Sequence, residues 1–273
     1  TLDAVRGGGP AVRVPVTPLG DTLWIASFPL EMGKNALRFD VRALDTRLRP
    51  VAAAVKMDAM RIEPGKDFSV FAPDGRFSVR IFTESLYRAA PVSVDGADPV
   101  EPERLIPASP VYRVAWGDEP LKGSCRVAFT LDRGPTRREL VYVSGGGKEW
   151  RCIGGRREGT TITADYFGSG LAGVFADEIA PEVAPLAPSE IGTVPRKPVI
   201  RFRVIDRESG IGGSTAVIML LDGETVYGEY DPEADTISYT PRRDLAPGPH
   251  KVDVHVADRA GNRSFASRTF TVR

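Results

Sequence analysis

Apolar and polar residues alternate with a period of two along much of the chain. Residues 37–43, 77–81, 200–204 and 252–256 each place an apolar side chain at every second position, with polar or charged residues between them. Because a strand projects successive side chains to opposite faces, this pattern predicts strands with one buried and one hydrated face. Turns rich in Pro and Gly separate these segments, and only residues 83–87 suggest a helical turn. The sequence therefore predicts an all-β protein built from tandem antiparallel β-sandwiches.

Two interruptions divide this pattern into three segments. Residues 60–66 form a polar turn after a complete strand, and residues 179–188 contain three prolines. Because proline fixes φ and favours extended backbone, the second interruption is predicted to be a semi-rigid connector or an edge strand that enters a new domain. The predicted domains are residues 1–60, 61–180 and 181–273. The first is predicted to be a partial Ig-like region, because it supplies about four strands where an Ig-like sandwich needs about seven. Either the chain begins inside a domain, which we favour, or these strands complete a sheet shared with another part of the chain.

The composition is that of an ordinary globular protein. Of the 273 residues, 42% are hydrophobic, and 36 basic residues balance 36 acidic ones to give zero net charge. This balance argues against a nucleic-acid partner, which favours a basic protein surface. No apolar run approaches the roughly 20 residues needed to cross a bilayer, so we predict no membrane span. The basic pairs at residues 137–138 and 156–157 each precede a glutamate, and we interpret them as solvated strand ends.

Turn and core motifs resemble those of a known group of bacterial proteins. Residues 206–211 read Asp-Arg-Glu-Ser-Gly-Ile, and residues 258–262 read Asp-Arg-Ala-Gly-Asn. Together they resemble the Ig-like modules of secreted bacterial proteins. The middle of the chain is similar to a ZU-five-like sandwich in the order of its motifs, which lie at residues 109–112, 140–142, 149–150, 168–170 and 175–181.

This order of modules resembles the non-catalytic region of lysostaphin-like zinc endopeptidases of Gram-negative bacteria, over roughly residues 20–273. The resemblance implies a periplasmic or extracellular location and accessory β-sandwiches associated with a cell-wall peptidase. The catalytic domain of that family needs a His-x-x-x-Asp pair and a His-x-His pair. This chain has two histidines, His250 and His255, and neither lies in such a motif. Their odd spacing places the two imidazoles on opposite faces of one strand.

Other catalytic motifs are also absent from the sequence. It contains neither a Gly-x-Ser-x-Gly nucleophile elbow nor a Walker loop. We therefore predict that this chain is not an enzyme and that it carries no catalytic residue and no obligatory cofactor. The resemblance implies that a linked zinc peptidase domain would be carried elsewhere.

Acidic turns near the C-terminus are the candidate metal site. Asp206, Glu208, Asp258 and Asn262 lie in predicted loops that could meet at one end of the last sandwich. Oxygen-rich loops of this kind suit calcium, which secreted β-modules can use for rigidity. The simpler alternative, which we favour because there is no dense Asp-x-Asp-x-Asp loop, is that Asp and Asn close turns by binding their own backbone.

The cysteines, Cys125 and Cys152, each alternate with apolar residues in a predicted strand. Cys125 shares a face with Val127 and Phe129, and Cys152 shares a face with Trp150. Both thiols are therefore predicted to point into the core of the middle sandwich. A disulfide and a pair of buried thiols are both compatible with this placement, and the sequence leaves the choice open.

The three tryptophans are candidates for stacking on sugar rings. Trp24 and Trp150 lie within apolar strands, so we expect them in the core. Trp116 stands beside Gly117, Asp118 and Glu119, which indicate a loop, and it is the candidate ligand residue. On this interpretation a Trp116→Ala substitution would weaken glycan binding without unfolding the domain.

We therefore expect a non-catalytic accessory or scaffold region of a secreted or periplasmic bacterial protein, associated with a lysostaphin-like endopeptidase. One alternative is a module that binds peptidoglycan or another glycan. Another is a structural component of a cell-envelope assembly that uses exposed sheet edges for docking. The expected partner is a cell-wall or envelope component, or another protein domain.

Overall fold

The computed structural model describes residues 1–18, 24–98, 102–116, 120–146, 148–189 and 191–273. Nearly all regular structure in these residues is β-strand, which confirms the all-β prediction. Their helical structure is one 3-10 turn at Ser214–Ala216. Residues 83–87, which were expected to form a helical turn, instead form tight turns and a bridge between Leu86 and Leu121. Within the described ranges, no helix has the length and apolar character of a membrane-spanning segment.

The strands are numbered in chain order. The first part of the chain contains β1 (Leu2–Arg6), β2 (Val12–Val14), β3 (Thr17–Pro18), β4 (Trp24–Ile25), β5 (Gly33–Leu44), β6 (Pro50–Ile62), β7 (Phe68–Phe71), β8 (Phe77–Ile81), β9 (Ala90–Gly96), β10 (Ile106–Pro107), β11 (Tyr112–Ala115), β12 (Cys125–Thr130) and β13 (Glu139–Ser144). The rest contains β14 (Arg151–Gly154), β15 (Arg156–Glu158), β16 (Thr161–Tyr166), β17 (Gly170–Ala176), β18 (Glu182–Ala187), β19 (Thr193–Val194), β20 (Ile200–Ile205), β21 (Val217–Leu221), β22 (Glu224–Val226), β23 (Glu229–Asp231), β24 (Thr236–Tyr239), β25 (Gly248–Ala257) and β26 (Arg263–Val272).

Two sheets form the middle sandwich. Sheet 1 follows the order β14-β13-β17-β11-β9-β6-β5-β1-β2, with β10 also paired to β17. Sheet 2 follows the order β15-β16-β12-β8-β7. The alternation in β8 places Phe77, Val79 and Ile81 inward, as the sequence pattern predicts. In the core between the sheets, Phe77 lies 4.7 Å from Tyr112 and 4.6 Å from Phe129, measured between ring centroids.

The boundary predicted near residue 61 falls inside β6 and has to be corrected. The end of β6 pairs with β9 at Met60, Arg61 and Ile62, while β6 also pairs with β5 from Pro50 to Arg61. Strand β5 pairs in turn with β1, so the strands of residues 1–60 extend sheet 1 and are not a separate Ig-like region. This matches the alternative in which these strands complete a sheet shared with another part of the chain. The physical reason is that Ile62 belongs to the core between sheets 1 and 2, so the polar turn follows a core strand of the middle sandwich.

Strands β5 and β6 form a long antiparallel hairpin whose end extends beyond the sandwich. Their ladder runs from Gly33 opposite Arg61 to Leu44 opposite Pro50. Asp45 closes the turn, because its Oδ1 accepts hydrogen bonds from the backbone of Arg47 at 2.8 Å and of Arg49 at 2.9 Å. Burial is confined to the base of the hairpin, and the half near the turn is mostly exposed.

The C-terminal sandwich contains sheet 3, ordered β18-β20-β24-β23, and sheet 4, ordered β19-β26-β25-β21-β22. Strand β18 begins just after the boundary predicted near residue 180, and it forms the edge of sheet 3 beside β20. This matches one of the two interpretations of the proline-rich segment, that of an edge strand. Phe202, Met219 and Val254 lie in the core between sheets 3 and 4.

Arg157 corrects the interpretation of one basic pair as a solvated strand end. Its guanidinium is half-buried and donates to three backbone carbonyl oxygens, those of Thr136 at 2.7 Å, Arg137 at 2.7 Å and Glu139 at 2.9 Å. Charge-assisted hydrogen bonds of this kind are stronger than neutral ones. Arg157 therefore ties β15 of sheet 2 to the start of β13 in sheet 1.

Strand β13 departs from the alternation because all of its residues are buried. Val141 and Val143 point into the core between sheets 1 and 2. Leu140 and Tyr142 point to the opposite, outer side of sheet 1, where a second apolar cluster forms. A strand buried on both faces implies a further layer over the outer face.

Candidate functional site

A loop of the C-terminal sandwich covers the outer face of sheet 1. Tyr142 on β13 and Phe175 on β17 form an apolar cluster with Ala260, which lies between β25 and β26 and is fully buried. The ring of Phe175 packs edge-on against Tyr142, with centroids 5.8 Å apart, and against Trp150, with centroids 5.0 Å apart. The two sandwiches therefore share a buried contact, which we call the junction.

Asn262 is the central polar residue of the junction. Its Nδ2 donates to the carbonyl oxygens of Asp177 at 3.0 Å and Ile179 at 3.1 Å, which belong to the end of the middle sandwich. The same atom donates to Oδ2 of Asp258 at 2.8 Å, and the backbone N–H of Asn262 donates to Oδ1 of Asp258 at 2.8 Å. Because three acceptors surround Nδ2, the side chain acts as a donor that links the two sandwiches.

Two further polar contacts lie around the junction. Arg259 donates from Nη1 to the carbonyl oxygen of Cys152 at 3.3 Å. Glu208 pairs with Arg104 of the middle sandwich, with 2.8 Å between Oε1 and Nη1, and its side chain is buried. Glu208 was a candidate calcium ligand, and in the structure it pairs with an arginine instead.

Asp206 and Asp258 each close a turn with one of their oxygens. Oδ1 of Asp206 accepts from the backbone N–H of Ser209 at 2.9 Å and of Gly210 at 2.6 Å. The residue after this turn, Ile211, forms an isolated bridge with Asp258, which brings the two loops together. The turn-closing alternative therefore accounts for Oδ1 of Asp206, but it does not account for Oδ2 of the same carboxylate.

The structure brings Asp206 and Asp258 together with a third aspartate. Asp177 follows β17, and one carboxylate oxygen from each of Asp177, Asp206 and Asp258 lies within 4.8 Å of the corresponding oxygen of the other two. Asp177 and Asp258 are buried, and Asp206 is half-buried. Among the residues that the structure describes, these three form the one group with the spacing of a metal site. We call them the aspartate cluster.

Two buried carboxylate oxygens at the cluster, Oδ2 of Asp177 and Oδ2 of Asp206, have no hydrogen-bond partner within the described part of the chain. The buried hydroxyl of Tyr142 has the thiol of Cys152 as a weak hydrogen-bonding neighbour. Oδ1 of Asp177 is used, since it accepts from the backbone N–H of Ile179 at 2.9 Å. Buried polar groups are normally satisfied, so each exception needs an explanation.

The cluster is electrostatically strained when all three groups are ionised. Burial, together with the neighbouring charges of Asp177 and Asp258, raises the pKa of Asp206 to about 6, against the backbone hydrogen bond from Gly210 that lowers it. Burial also raises the pKa of Asp258, against the hydrogen bonds from Asn262 that lower it. The pKa of Tyr142 is raised by burial and by the same acidic surroundings, so the phenol stays neutral. The cluster can therefore hold either a proton or a cation.

No protein-family model matches this chain, and no curated protein matches it. The functional interpretation therefore rests on the contacts at the junction.

The elevated pKa of Asp206 gives a pH-dependent stability that can be measured. An aspartate with an ordinary unfolded pKa near 3.9 and a folded pKa near 6 contributes stability that is present below about pH 4 and is lost as the pH rises through 6. Asp206→Asn mimics the protonated form. The effect of the substitution is the free energy of unfolding of the variant minus that of the wild type, both measured in EDTA. We expect this effect to be about 1 kcal/mol more stabilising at pH 7.5 than at pH 5, after allowance for the partial exposure of the side chain. Urea titrations at both pH values measure this difference, and equal effects at the two pH values would contradict it.

The two cysteines lie on opposite sides of sheet 1, which corrects their expected placement in one core. Cys125 is in the core between sheets 1 and 2, where its thiol donates to the carbonyl oxygen of Tyr166 at 3.3 Å. Cys152 pairs with Tyr142 across the ladder and therefore faces the outer cluster. Both are buried free thiols, which matches the buried-thiol alternative and not the disulfide, although the two thiols do not share one core. Burial raises the pKa of Cys125 to about 12, which leaves the thiol protonated.

The tryptophans also differ from expectation. Trp116 is 1% exposed in the core between sheets 1 and 2, and its Nε1 donates to the carbonyl oxygen of Gly168 at 2.6 Å. A ring that is covered on all sides cannot stack on a glycan, so the candidate ligand role of Trp116 is not supported. Trp24, which was expected in the core, is 59% exposed, and Trp150 is half-buried beside Phe175.

The histidines are engaged within the C-terminal sandwich. Nδ1 of His250 lies 2.6 Å from Oδ2 of Asp222, and its Nε2 lies 2.8 Å from the carbonyl oxygen of Ala246. His255 stacks on Phe265, with ring centroids 5.8 Å apart. Both histidines lie on β25, where they occupy opposite faces of the strand.

Proposed function

We propose that the chain is a non-catalytic scaffold region of a periplasmic or extracellular bacterial protein, in which the middle and C-terminal sandwiches act as one rigid unit. The observation that carries this proposal is the junction. A buried apolar cluster and the Asn262 hydrogen bonds join the two sandwiches over the outer face of β13. Sandwiches connected only by a flexible linker would leave this face exposed to water.

Rigidity is the property that a spacer needs. A linker without contacts lets the flanking domains reorient, whereas a packed junction holds them at a fixed distance and angle. The envelope location and the link to a lysostaphin-like endopeptidase rest on the resemblance of the sequence motifs. On this proposal the chain positions a peptidase domain, carried elsewhere, relative to the cell wall.

The glycan-binding alternative loses its main support. It depended on Trp116, whose ring is enclosed in the core of the middle sandwich. The scaffold interpretation does not depend on any exposed aromatic side chain, and the junction favours it.

Rigidity can be tested by electron spin resonance distance measurements between spin labels on the two sandwiches. Tyr87 in the middle sandwich and Tyr227 in the C-terminal one are 66% and 91% exposed, so Tyr87→Cys and Tyr227→Cys place labels without disturbing a core. We expect one narrow distance distribution, because the junction fixes the relative orientation. The native cysteines are buried and stay unlabelled.

The matched control is a label pair within the middle sandwich, Tyr87→Cys with Phe167→Cys, since Phe167 is also exposed. A distribution between the sandwiches that is much broader than this internal one would contradict the rigid scaffold. Hydrolysis of peptidoglycan by the purified chain in the presence of zinc would contradict its non-catalytic character.

A further inference from the structure

We infer that the aspartate cluster binds a calcium ion, which Asp177 of the middle sandwich and Asp206 and Asp258 of the C-terminal sandwich coordinate together. This inference rests on the proposed scaffold function and deepens it, because an ion bound by both sandwiches would lock the junction. The ligand set differs from the one that the loops alone suggested, since Asp177 replaces Glu208 and Asn262.

The spacing of the carboxylates fits one calcium ion. Calcium binds oxygen ligands at about 2.3–2.6 Å, so two oxygens on opposite sides of the ion stand about 5 Å apart. One oxygen from each aspartate lies within 4.8 Å of the other two. Magnesium demands shorter distances of about 2.0–2.1 Å and a strict octahedron, whereas calcium accepts the more irregular geometry that three ligands from separate loops supply. The half-buried Asp206 gives the ion a path from solvent.

Unpartnered atoms inside the site point independently to a ligand. Asp177 is 0% exposed, and its Oδ2 accepts no hydrogen bond from the described residues. The phenol of Tyr142 is equally buried, has the thiol of Cys152 as a weak hydrogen-bonding neighbour, and interacts with the charges of Asp177 and Asp206. Turn closure does not account for these atoms, because it uses only Oδ1 of Asp177 and of Asp206.

Charge balance favours a cation over protons alone. No arginine or lysine forms an ion pair with Asp177, Asp206 or Asp258 in the described ranges, although Glu208 beside them has Arg104. A buried carboxylate without a counter-charge is costly, and a single proton neutralises only one of the three. A divalent cation neutralises two charges at once and supplies a partner for every free oxygen of the cluster.

Calorimetric titration of the whole chain tests this inference. After removal of divalent ions with EDTA and buffer exchange, we expect CaCl₂ to bind once per chain, with a dissociation constant between about 10 µM and 1 mM. Thermal unfolding should shift upward by about 3 °C or more in saturating calcium. MgCl₂ at equal ionic strength should give a much smaller shift.

Asp206→Asn is the decisive variant, because an amide keeps the turn-closing acceptor and removes the charge. It should retain the circular dichroism spectrum of the wild type and lose calcium affinity by at least about tenfold. Asp177→Asn serves as the second variant on the same reasoning. Glu224→Gln, which removes an exposed charge of the same sandwich, should leave calcium binding unchanged.

Three results would overturn the calcium site. They are the absence of binding to the wild type, equal shifts with calcium and magnesium, and a calcium shift that persists in both aspartate variants. The spin-label distances remain a separate test. A narrow distribution in EDTA with no calcium binding would reject the ion and keep the rigid scaffold, and a broad distribution would reject the scaffold itself.

Discussion

Trp116→Ala is expected to destabilise the middle sandwich by about 3–5 kcal/mol. The substitution leaves a large cavity between sheets 1 and 2, where Trp116 is among the largest fully buried side chains. It also leaves the carbonyl oxygen of Gly168 without its donor. Urea unfolding followed by circular dichroism measures the loss, and a substantial unfolded fraction at room temperature would agree with it.

Trp24→Ala is the matched control, because the same change at an exposed ring should cost less than about 0.5 kcal/mol. Trp116→Phe separates packing from the hydrogen bond, since it keeps most of the ring and removes the N–H donor. A Trp116→Ala variant as stable as Trp24→Ala would show that the ring lies outside the core.

Asn262→Ala is expected to lower the free energy of unfolding by about 3 kcal/mol and to uncouple the two sandwiches. The substitution removes the donor to two backbone carbonyl oxygens and to Oδ2 of Asp258, and a buried acceptor without a donor costs about 1–3 kcal/mol. Because these bonds cross the junction, the wild type should unfold in one transition and the variant in two. Differential scanning calorimetry distinguishes the two cases.

Asn35→Ala is the comparison for Asn262→Ala, because Asn35 is also buried and fully hydrogen-bonded. Its side chain binds the backbone of Glu31 and Gly33 near the base of the hairpin, far along the chain from the junction. We expect Asn35→Ala to reduce stability without splitting the transition. Two transitions in both variants, or in neither, would contradict the assigned role of Asn262.

The sequence pattern predicts the strands well because alternation depends on local geometry alone. Residues 77–81 and 252–256 bury the predicted positions, since a strand of fixed pleat has only two faces. The local sequence pattern does not show which other part of the chain packs against a given face of the strand. Trp116 follows an apolar strand and precedes three polar or flexible residues, and its burial depends on the facing sheet. Trp24 has apolar neighbours in the sequence, but within the described part of the chain its side chain is exposed.

The junction shows the same limit over a longer distance. The continuous apolar run at residues 140–143 was a signal that both faces of β13 are buried, because alternation fails there. Which part of the chain supplies the cover could not be deduced from it. Asp177 lies 81 residues before Asp258 in the sequence, so its place in the aspartate cluster depends on how two complete sandwiches pack.

Because β6 continues across residue 61, gene recombination at that position would disrupt sheet 1. A recombination breakpoint at residue 61 would divide one strand and remove the ladder that β5 forms with it. It would also leave β9 with only the last residues of its neighbour, Arg61 and Ile62. The smallest portion that could be exchanged between genes with its hydrogen bonds intact therefore begins upstream of the hairpin, at β1.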